Sequence, residues 1–103
     1  MSSNFNNIED LYLKIKERID SCDSSSYSFQ LSEAGLEKIN RKVGEEAIEV
    51  IIAAFNKAKK DDATNKKELV AEISDILYHL TVLMVNQNIT YQDILDELNK
   101  RNK

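Results

Sequence analysis

The chain has 103 residues, with 14 basic and 18 acidic side chains and a net charge of −4. This length fits a single domain over residues 1–103, although a second copy would help so small a chain to complete its core. The interspersed charges disfavour a general nucleic-acid binder, which shows a basic face. The sequence has no proline, only two glycines and abundant Leu, Ile, Glu and Lys, and this composition predicts an all-α fold.

The N-terminus and the apolar stretches bear on where the protein resides. Residues 1–10 have neither a basic start nor a following apolar run, so a signal peptide is not expected. The longest apolar stretches are well short of the ~20 residues that a membrane span needs. We therefore expect a cytoplasmic protein with no membrane partner. Its single cysteine, Cys22, cannot form an internal disulfide and is expected to be an inert loop residue.

The first predicted helix covers residues 8–19. Its apolar side chains recur at helical spacing, and Asn6 or Asn7 can cap its first turn. Residues 1–7 before it are expected to be flexible. Residues 21–28 contain five serines and no periodic pattern, so they are predicted to form a loop.

The second predicted helix covers residues 32–59. Between Ala47 and Phe55 it is apolar over more than one face, so it must be covered on several sides. A single chain of four helices offers few elements to do this, and we therefore predict a homodimer. Gly44 lies inside this helix, which suggests that another backbone or a ligand approaches it closely.

Two further helices complete a bundle of four. Residues 59–65 are predicted to form a polar connection, and a third helix is predicted over residues 66–86 with Asn65 and Glu68 as a capping box. Residues 86–89 are predicted to form a turn. Thr90 and Asp93 then form a second capping box, which predicts a fourth helix over residues 91–101.

Two pairs of carboxylates border the apolar stripes of the second and third predicted helices. Glu46 and Glu49 are three residues apart, as are Glu72 and Asp75, so each pair projects from one helix face. If the two helices pack antiparallel through their stripes, the four carboxylates face one another. They would then repel strongly unless protons or a cation neutralise them.

A magnesium-phosphate site is one interpretation of this pattern. Magnesium binds through carboxylates, waters and substrate phosphates, whereas zinc would need histidine or cysteine ligands that His79 and Cys22 cannot supply as a set. The alternative is that the acids form solvated faces and pair with nearby lysines. Spacing alone leaves the two interpretations about equally supported.

Two side chains near the acids are candidates for substrate contact. Lys42 precedes Glu46 by one turn, so it can meet a phosphate or simply form an ion pair with that glutamate. His79 follows Asp75 by one turn and lies on the acidic face. It is a candidate for substrate binding, although a structural histidine in a hydrogen bond is the more common case.

Two segments of the sequence resemble a known family. Residues 35–50 read GLEKINRKVGEEAIEV, and residues 72–80 read EISDILYHL. Both closely resemble phosphoribosyl-ATP pyrophosphohydrolases, a branch of the MazG-like all-α nucleotide pyrophosphohydrolases. The resemblance extends over residues 8–101 and includes Ser26-Tyr27-Ser28, where the family has threonine in place of Ser28. It implies a MazG-type fold resembling a four-helix bundle, completed by dimerisation.

The resemblance also implies roles for individual residues. The metal ligands that it implies, for Mg²⁺, are Glu46, Glu49, Glu72 and Asp75. Glu45 would support these ligands or bind further metal, and Lys42 and Arg101 would contact phosphate. Either Glu45 or Glu49 could be the general base, and the sequence does not decide between them.

The activity that the resemblance implies is an early step of histidine biosynthesis. The α–β phosphoanhydride of the nucleotide phosphoribosyl-ATP would be hydrolysed to give phosphoribosyl-AMP and pyrophosphate. Two alternatives remain: a MazG-like pyrophosphohydrolase acting on (deoxy)nucleoside triphosphates, and a helical interaction module without enzymatic activity.

Overall fold

In the computed structural model, the described residues 4–102 form five helices and no strand, which confirms the all-α prediction. The helices are α1 Ile8–Asp20, α2 Tyr27–Ala34, α3 Leu36–Lys59, α4 Ala63–Asn86 and α5 Tyr91–Arg101. The flexibility expected for residues 1–7 falls partly on residues 1–3, which lie outside the described residues, and it stays a prediction. None of the five helices, as described, offers a stretch long and apolar enough to cross a membrane.

Helices α3 and α4 form the framework of the fold. Their connection, residues 60–62, is so short that the two long helices must run antiparallel. Helices α1 and α2 pack against this pair on one side. The fully buried apolar side chains on that side are Ile15, Leu31, Ile39 and Val82, one from each of the four helices.

The first helix begins as its sequence predicts. Asn7 caps it, with Oδ1 accepting a hydrogen bond of 3.0 Å from the backbone N–H of Asp10. The Asp10 carboxylate in turn accepts 2.9 Å from the backbone N–H of Asn6, so the chain entering α1 is held by two reciprocal bonds. The bounds of α5 and its Thr90–Asp93 capping box are also as predicted.

The second predicted helix is two helices, and the predicted loop is shorter than residues 21–28. Ser26 caps α2 with its hydroxyl, so Tyr27 and Ser28 are helical. Gly35 then interrupts the helix with a φ of 102°, a conformation that side-chain-bearing residues rarely adopt. An amphipathic pattern that continues through residues 32–59 conceals this break, because the helices on both sides of Gly35 face the same core.

The start of α4 also differs from the prediction. Asp62 is the cap, with Oδ1 accepting 2.8 Å from the backbone N–H of Asn65, so the helix begins at Ala63. The predicted capping box of Asn65 and Glu68 is therefore wrong. The Asn65 side chain instead donates 2.8 Å to the carbonyl oxygen of Lys60, which closes the connection from α3.

The far side of the framework remains open in a single chain. Helix α5 has no buried residue and packs extensively against no other described helix. No other part of the described chain approaches Gly44, since a Cβ there would meet no described atom within 4 Å, and the approach of a ligand to it stays a prediction. Apart from Leu77, which lies beside the start of α1, the large apolar side chains exposed on α3, α4 and α5 are Leu36, Ile48, Ile51, Ile52, Phe55, Val70, Ile73, Leu80, Ile94, Leu95 and Leu98.

Candidate active site

Three of the four predicted metal ligands converge between α3 and α4. Glu46, Glu72 and Asp75 each offer a carboxylate oxygen, and these three oxygens lie within 4.8 Å of one another. We call these residues the carboxylate cluster. Glu46 is buried at 6% exposure, Glu72 is half-buried and Asp75 is exposed, so the cluster opens from the core towards solvent.

Glu49 lies beside the cluster and not within it. Its side chain is exposed, but its carboxylate raises the pKa of two cluster members. A hydrogen bond that protonated Glu72 can make to Glu49, together with burial and the charges of the other acids, raises the pKa of Glu72 to about 7. Burial is the main cause that raises the pKa of Glu46, and a hydrogen bond with Glu49 and its charge add to it.

The cluster has the chemistry of a site for a divalent cation. Glu46 Oε2 and Glu72 Oε2 are buried and accept no hydrogen bond from the described residues. Unpaired buried carboxylate oxygens are costly, and a hard cation that prefers oxygen ligands would stabilise them. The donor set of three carboxylates, with an exposed side for water and phosphate, therefore fits magnesium.

Lys42 supplies a positive charge at the edge of the cluster. Its Nζ lies 3.7 Å from Glu46 Oε1 and 3.4 Å from Glu45 Oε2, and its side chain is half-buried. A hydrogen bond to Glu45 raises the pKa of Lys42, so the ammonium stays charged. Glu45 itself is exposed and points to Lys42, and the carboxylate cluster does not include it.

His79 connects α4 to α2 behind the cluster. It is buried, and its Nδ1 lies 2.8 Å from the carbonyl oxygen of Asp75 while its Nε2 lies 3.0 Å from the hydroxyl of Tyr27. A carbonyl oxygen can only accept, so Nδ1 carries the proton and the Tyr27 hydroxyl donates to Nε2. Both ring nitrogens thus contact protein atoms, which supports a structural role for His79 over substrate contact.

A second polar contact joins the same two helices. The hydroxyls of Ser28 and Tyr78 are hydrogen bonded, and the rings of Tyr27 and Tyr78 stack with centroids 6.0 Å apart. Tyr27 and Ser28 were predicted to lie in a loop, so this support was not predicted. The serine cap before an aromatic residue, Ser26-Tyr27, is the local signal that could have revealed it.

Comparison with known proteins identifies the family. Residues 8–102 match the family of phosphoribosyl-ATP pyrophosphohydrolases. The chain belongs to this family. It is 46% identical over 100 residues to a phosphoribosyl-ATP pyrophosphatase of Clostridium novyi (strain NT), covering 97% of this chain and 84% of that protein. It is 47% identical over 94 residues to one of Listeria monocytogenes serotype 4b (strain CLIP80459), covering 91% and 84%.

A bifunctional relative shows the same match within a longer chain. The histidine biosynthesis bifunctional protein HisIE of Caldanaerobacter subterraneus subsp. tengcongensis is 47% identical over 93 residues. The match covers 90% of this chain but 42% of that protein. These comparisons confirm the resemblance drawn from residues 35–50 and 72–80.

One candidate residue of the phosphoribosyl-ATP pyrophosphohydrolase site lies apart from the others. Arg101 ends α5 and is 72% exposed, and its Nε is 2.8 Å from Glu97 Oε2 on its own helix. The fold of one chain therefore does not bring Arg101 to the carboxylate cluster. Its predicted contact with phosphate stays a prediction.

A cavity of about 330 Å³ adjoins the cluster on the side towards the α3–α4 connection. Three acids line it, namely Glu49, Glu68 and Glu72, and Asn56 and Asn65 add polar groups. Carboxylates in such number attract cations and repel a bare phosphate. This cavity therefore suits hydrated cations more than an uncharged ring.

Proposed function

We propose that this chain hydrolyses phosphoribosyl-ATP to phosphoribosyl-AMP and pyrophosphate. The observation that carries the proposal is the convergence of Glu46, Glu72 and Asp75 within 4.8 Å, in a chain that belongs to the phosphoribosyl-ATP pyrophosphohydrolases. Relatives named for this activity are similar over nearly the whole length of the chain. The reaction class is hydrolysis of a phosphoanhydride in histidine biosynthesis.

The proposed cofactor is Mg²⁺, held by Glu46, Glu72 and Asp75. The two buried carboxylate oxygens without hydrogen-bond donors support this assignment. Bound magnesium would offset negative charge on the phosphates and lower the pKa of a bound water. Glu49, at the edge of the cluster, completes the set of four ligands that the family resemblance implies.

The chain's own residues would position the substrate and accept a proton. Lys42 is charged and half-buried beside Glu46, where it can contact a phosphate oxygen. Glu49 is exposed and adjoins the cluster, whereas Glu45 pairs with Lys42. This difference favours Glu49 as the group that accepts the proton of the attacking water.

Two broader properties belong to the proposal. The open side of the α3–α4 framework supports a homodimer, because the large apolar side chains exposed there exceed what scattered surface residues require. The predicted cytoplasmic location is retained, and cell fractionation would test it.

The experiment is a measurement of pyrophosphate release from phosphoribosyl-ATP, with nucleoside and 2′-deoxynucleoside 5′-triphosphates as rival substrates. Each substrate is tested with added Mg²⁺ and after treatment with a chelator. We expect turnover of phosphoribosyl-ATP only with Mg²⁺, and far lower kcat/KM for the rivals. No pyrophosphate from phosphoribosyl-ATP under any metal condition would overturn the proposed activity, and a higher kcat/KM for a deoxynucleoside triphosphate would change its substrate.

A further inference from the structure

A second cavity, of about 490 Å³, lies between the start of the described chain and one side of α4. It shares Asp75 with the carboxylate cluster, so it opens directly beside the proposed phosphate site. We call it the N-terminal cavity. The residues that line it are Phe5, Asn6, Asn7, Ile8, Leu11, Ser74, Asp75, Leu77 and Tyr78.

The lining of the N-terminal cavity combines apolar walls with a few amides. Two aromatic rings, those of Phe5 and Tyr78, and several aliphatic side chains supply the apolar surface. Asn6 and Asn7 supply groups that can donate or accept hydrogen bonds, and Asp75 is the one charged residue in the lining. Such a lining suits a flat, uncharged ring with polar edges.

Hydrogen bonds fix part of each wall of this cavity. The backbone N–H of Asn6 and the Asn7 side chain are both hydrogen bonded to Asp10 in the first turn of α1. On the opposite wall, the Tyr78 hydroxyl is hydrogen bonded to Ser28. A prearranged cavity loses less conformational entropy when it binds a ligand than a cavity that must order itself.

The two cavities beside the cluster differ in the ligand that each can accept. The smaller is lined by Glu49, Glu68 and Glu72, whose charges would oppose burial of a neutral ring. The N-terminal cavity has one carboxylate and lies within the usual size range of small-molecule sites, about 300–1,000 Å³. A nucleotide with its phosphates at the cluster would therefore place its base in the N-terminal cavity.

We propose that the N-terminal cavity binds the purine nucleoside part of the substrate, with Phe5 and Asn6 as specificity-determining residues. The inference rests on the proposed function, because the cluster must hold the phosphates of the same nucleotide. The shared Asp75 links the two halves of the site: phosphates on one side of this residue and the base on the other. A segment predicted to be flexible thus takes part in recognition.

The test uses two variants of the full chain and one matched control. Phe5→Ala removes an aromatic wall, and Ser74→Phe fills the cavity from an exposed position on α4. Leu13→Ala is the control, because it also removes an exposed apolar side chain from the N-terminal region but lies outside this cavity. For each protein, KM and kcat for phosphoribosyl-ATP, the binding of AMP by calorimetry, and the sedimentation coefficient are measured.

The expected result is a rise in KM of about tenfold for Phe5→Ala, the size of effect seen when a stacked base loses its aromatic partner. Ser74→Phe should raise KM at least as much, and AMP binding should weaken in parallel in both variants. In Leu13→Ala, KM and AMP binding should match the unmodified protein. An unchanged KM in Phe5→Ala and Ser74→Phe would overturn the inference.

Two other outcomes have defined meanings. If the variants change the sedimentation coefficient but not KM, a second copy of the chain covers the cavity and the inference is overturned. If the unmodified protein does not turn over phosphoribosyl-ATP, the proposed function fails and AMP binding alone decides about the cavity. Binding that both variants lose supports a nucleoside site, and equal or absent AMP binding in all proteins overturns it.

Discussion

Helices α2 and α5 are both short, but their surroundings in the fold are opposite. Helix α2, with 8 residues, contacts α1, α3 and α4 and buries Ser28 and Leu31. Helix α5, with 11 residues, has no buried residue and packs extensively against no other described helix, although its half-buried Tyr91 is hydrogen bonded to Thr81 on α4. Polar contacts to Tyr78 and His79 join α2 to α4, the helix that carries two of the three residues of the carboxylate cluster. The α2 side of the molecule is therefore complete in one chain, whereas the α5 side is not.

The comparison shows that an amphipathic pattern and burial are separate properties. The apolar residues of α5, Ile94, Leu95 and Leu98, have regular helical spacing but are exposed in the single chain. An isolated helix of this length is marginal in water, so α5 is the helix that the proposed homodimer would stabilise most. Helix α2 has a weaker stripe and is stabilised by contacts with residues about 50 positions away.

The largest expected effect concerns the carboxylate cluster, which lies on the α2 side of the molecule and which we propose to be catalytic. Glu46→Gln should lower kcat/KM for phosphoribosyl-ATP by at least about a hundredfold, because it removes a ligand charge from the cluster and keeps the shape of the side chain. Glu33→Gln, the same change at an exposed position of α2, is the control and should leave the activity unchanged. Near-normal kinetics in Glu46→Gln would remove the cluster from the active site.

The second effect concerns the open side and the proposed homodimer. Leu95→Asp places a charge on the exposed stripe of α5, so a dimer that buries this stripe should dissociate into single chains. Sedimentation at micromolar concentration would show the change, and Lys100→Gln, which changes the net charge by the same amount on the opposite face of α5, should not cause it. Leu95→Asp with the sedimentation coefficient of the unmodified protein would show that α5 is not covered by a second copy. An unmodified protein of only 11.8 kDa would refute the dimer.

Features of the fold that depend on local sequence were predicted, whereas features that depend on tertiary contacts were missed. The bounds of α5 were predicted because its capping box and stripe are local signals. The break at Gly35 was missed, because a positive φ at one glycine leaves the apolar periodicity intact. Three of the four predicted ligands converge, and Glu49 lies beside them. Residues three apart share a helix face, but the rotation of α3 about its axis decides which of Glu46 and Glu49 faces α4. The serine cap at Ser26 is a local signal that places Tyr27 and Ser28 in a helix, but their hydrogen-bond partners, about 50 residues away, are set by the tertiary structure.

A third effect compares a cation from each side of the molecule. Lys42→Ala should lower kcat/KM about tenfold, because the ammonium beside Glu46 would no longer meet a phosphate. Arg101→Lys should lower it by roughly three- to tenfold if Arg101 contacts phosphate, since lysine cannot make two parallel hydrogen bonds. Lys100→Arg, at the neighbouring position, is the control. An unchanged kcat/KM in Arg101→Lys would show that Arg101 pairs with Glu97 and does not contact phosphate. Helix α5 would then take no part in substrate recognition.

The smallest expected effect is on stability, and it arises from the repulsion between the acids of the carboxylate cluster. Glu72 has a folded-state pKa of about 7, above its ordinary value of 4.5. Between these two pH values the folded chain binds more protons than the unfolded chain, so its free energy of unfolding falls as the pH rises. Below about 4.5 both states are protonated, and above about 7 the whole penalty is present. The raised pKa of Glu46 acts in the same direction.

The measurement is the Tm of the metal-free protein, prepared with a chelator, at pH 5 and at pH 8. We expect the lower Tm at pH 8, a smaller difference in Glu72→Gln, and no reduction of the difference in Glu33→Gln, whose carboxyl is on α2 and outside the cluster. Added Mg²⁺ should raise the Tm at pH 8 more than at pH 5, because it binds the ionised carboxylates that repel one another. If the Tm of the metal-free protein is the same at both pH values, the acids do not repel as their positions require. The carboxylate cluster would then have no electrostatic repulsion for a cation to reduce.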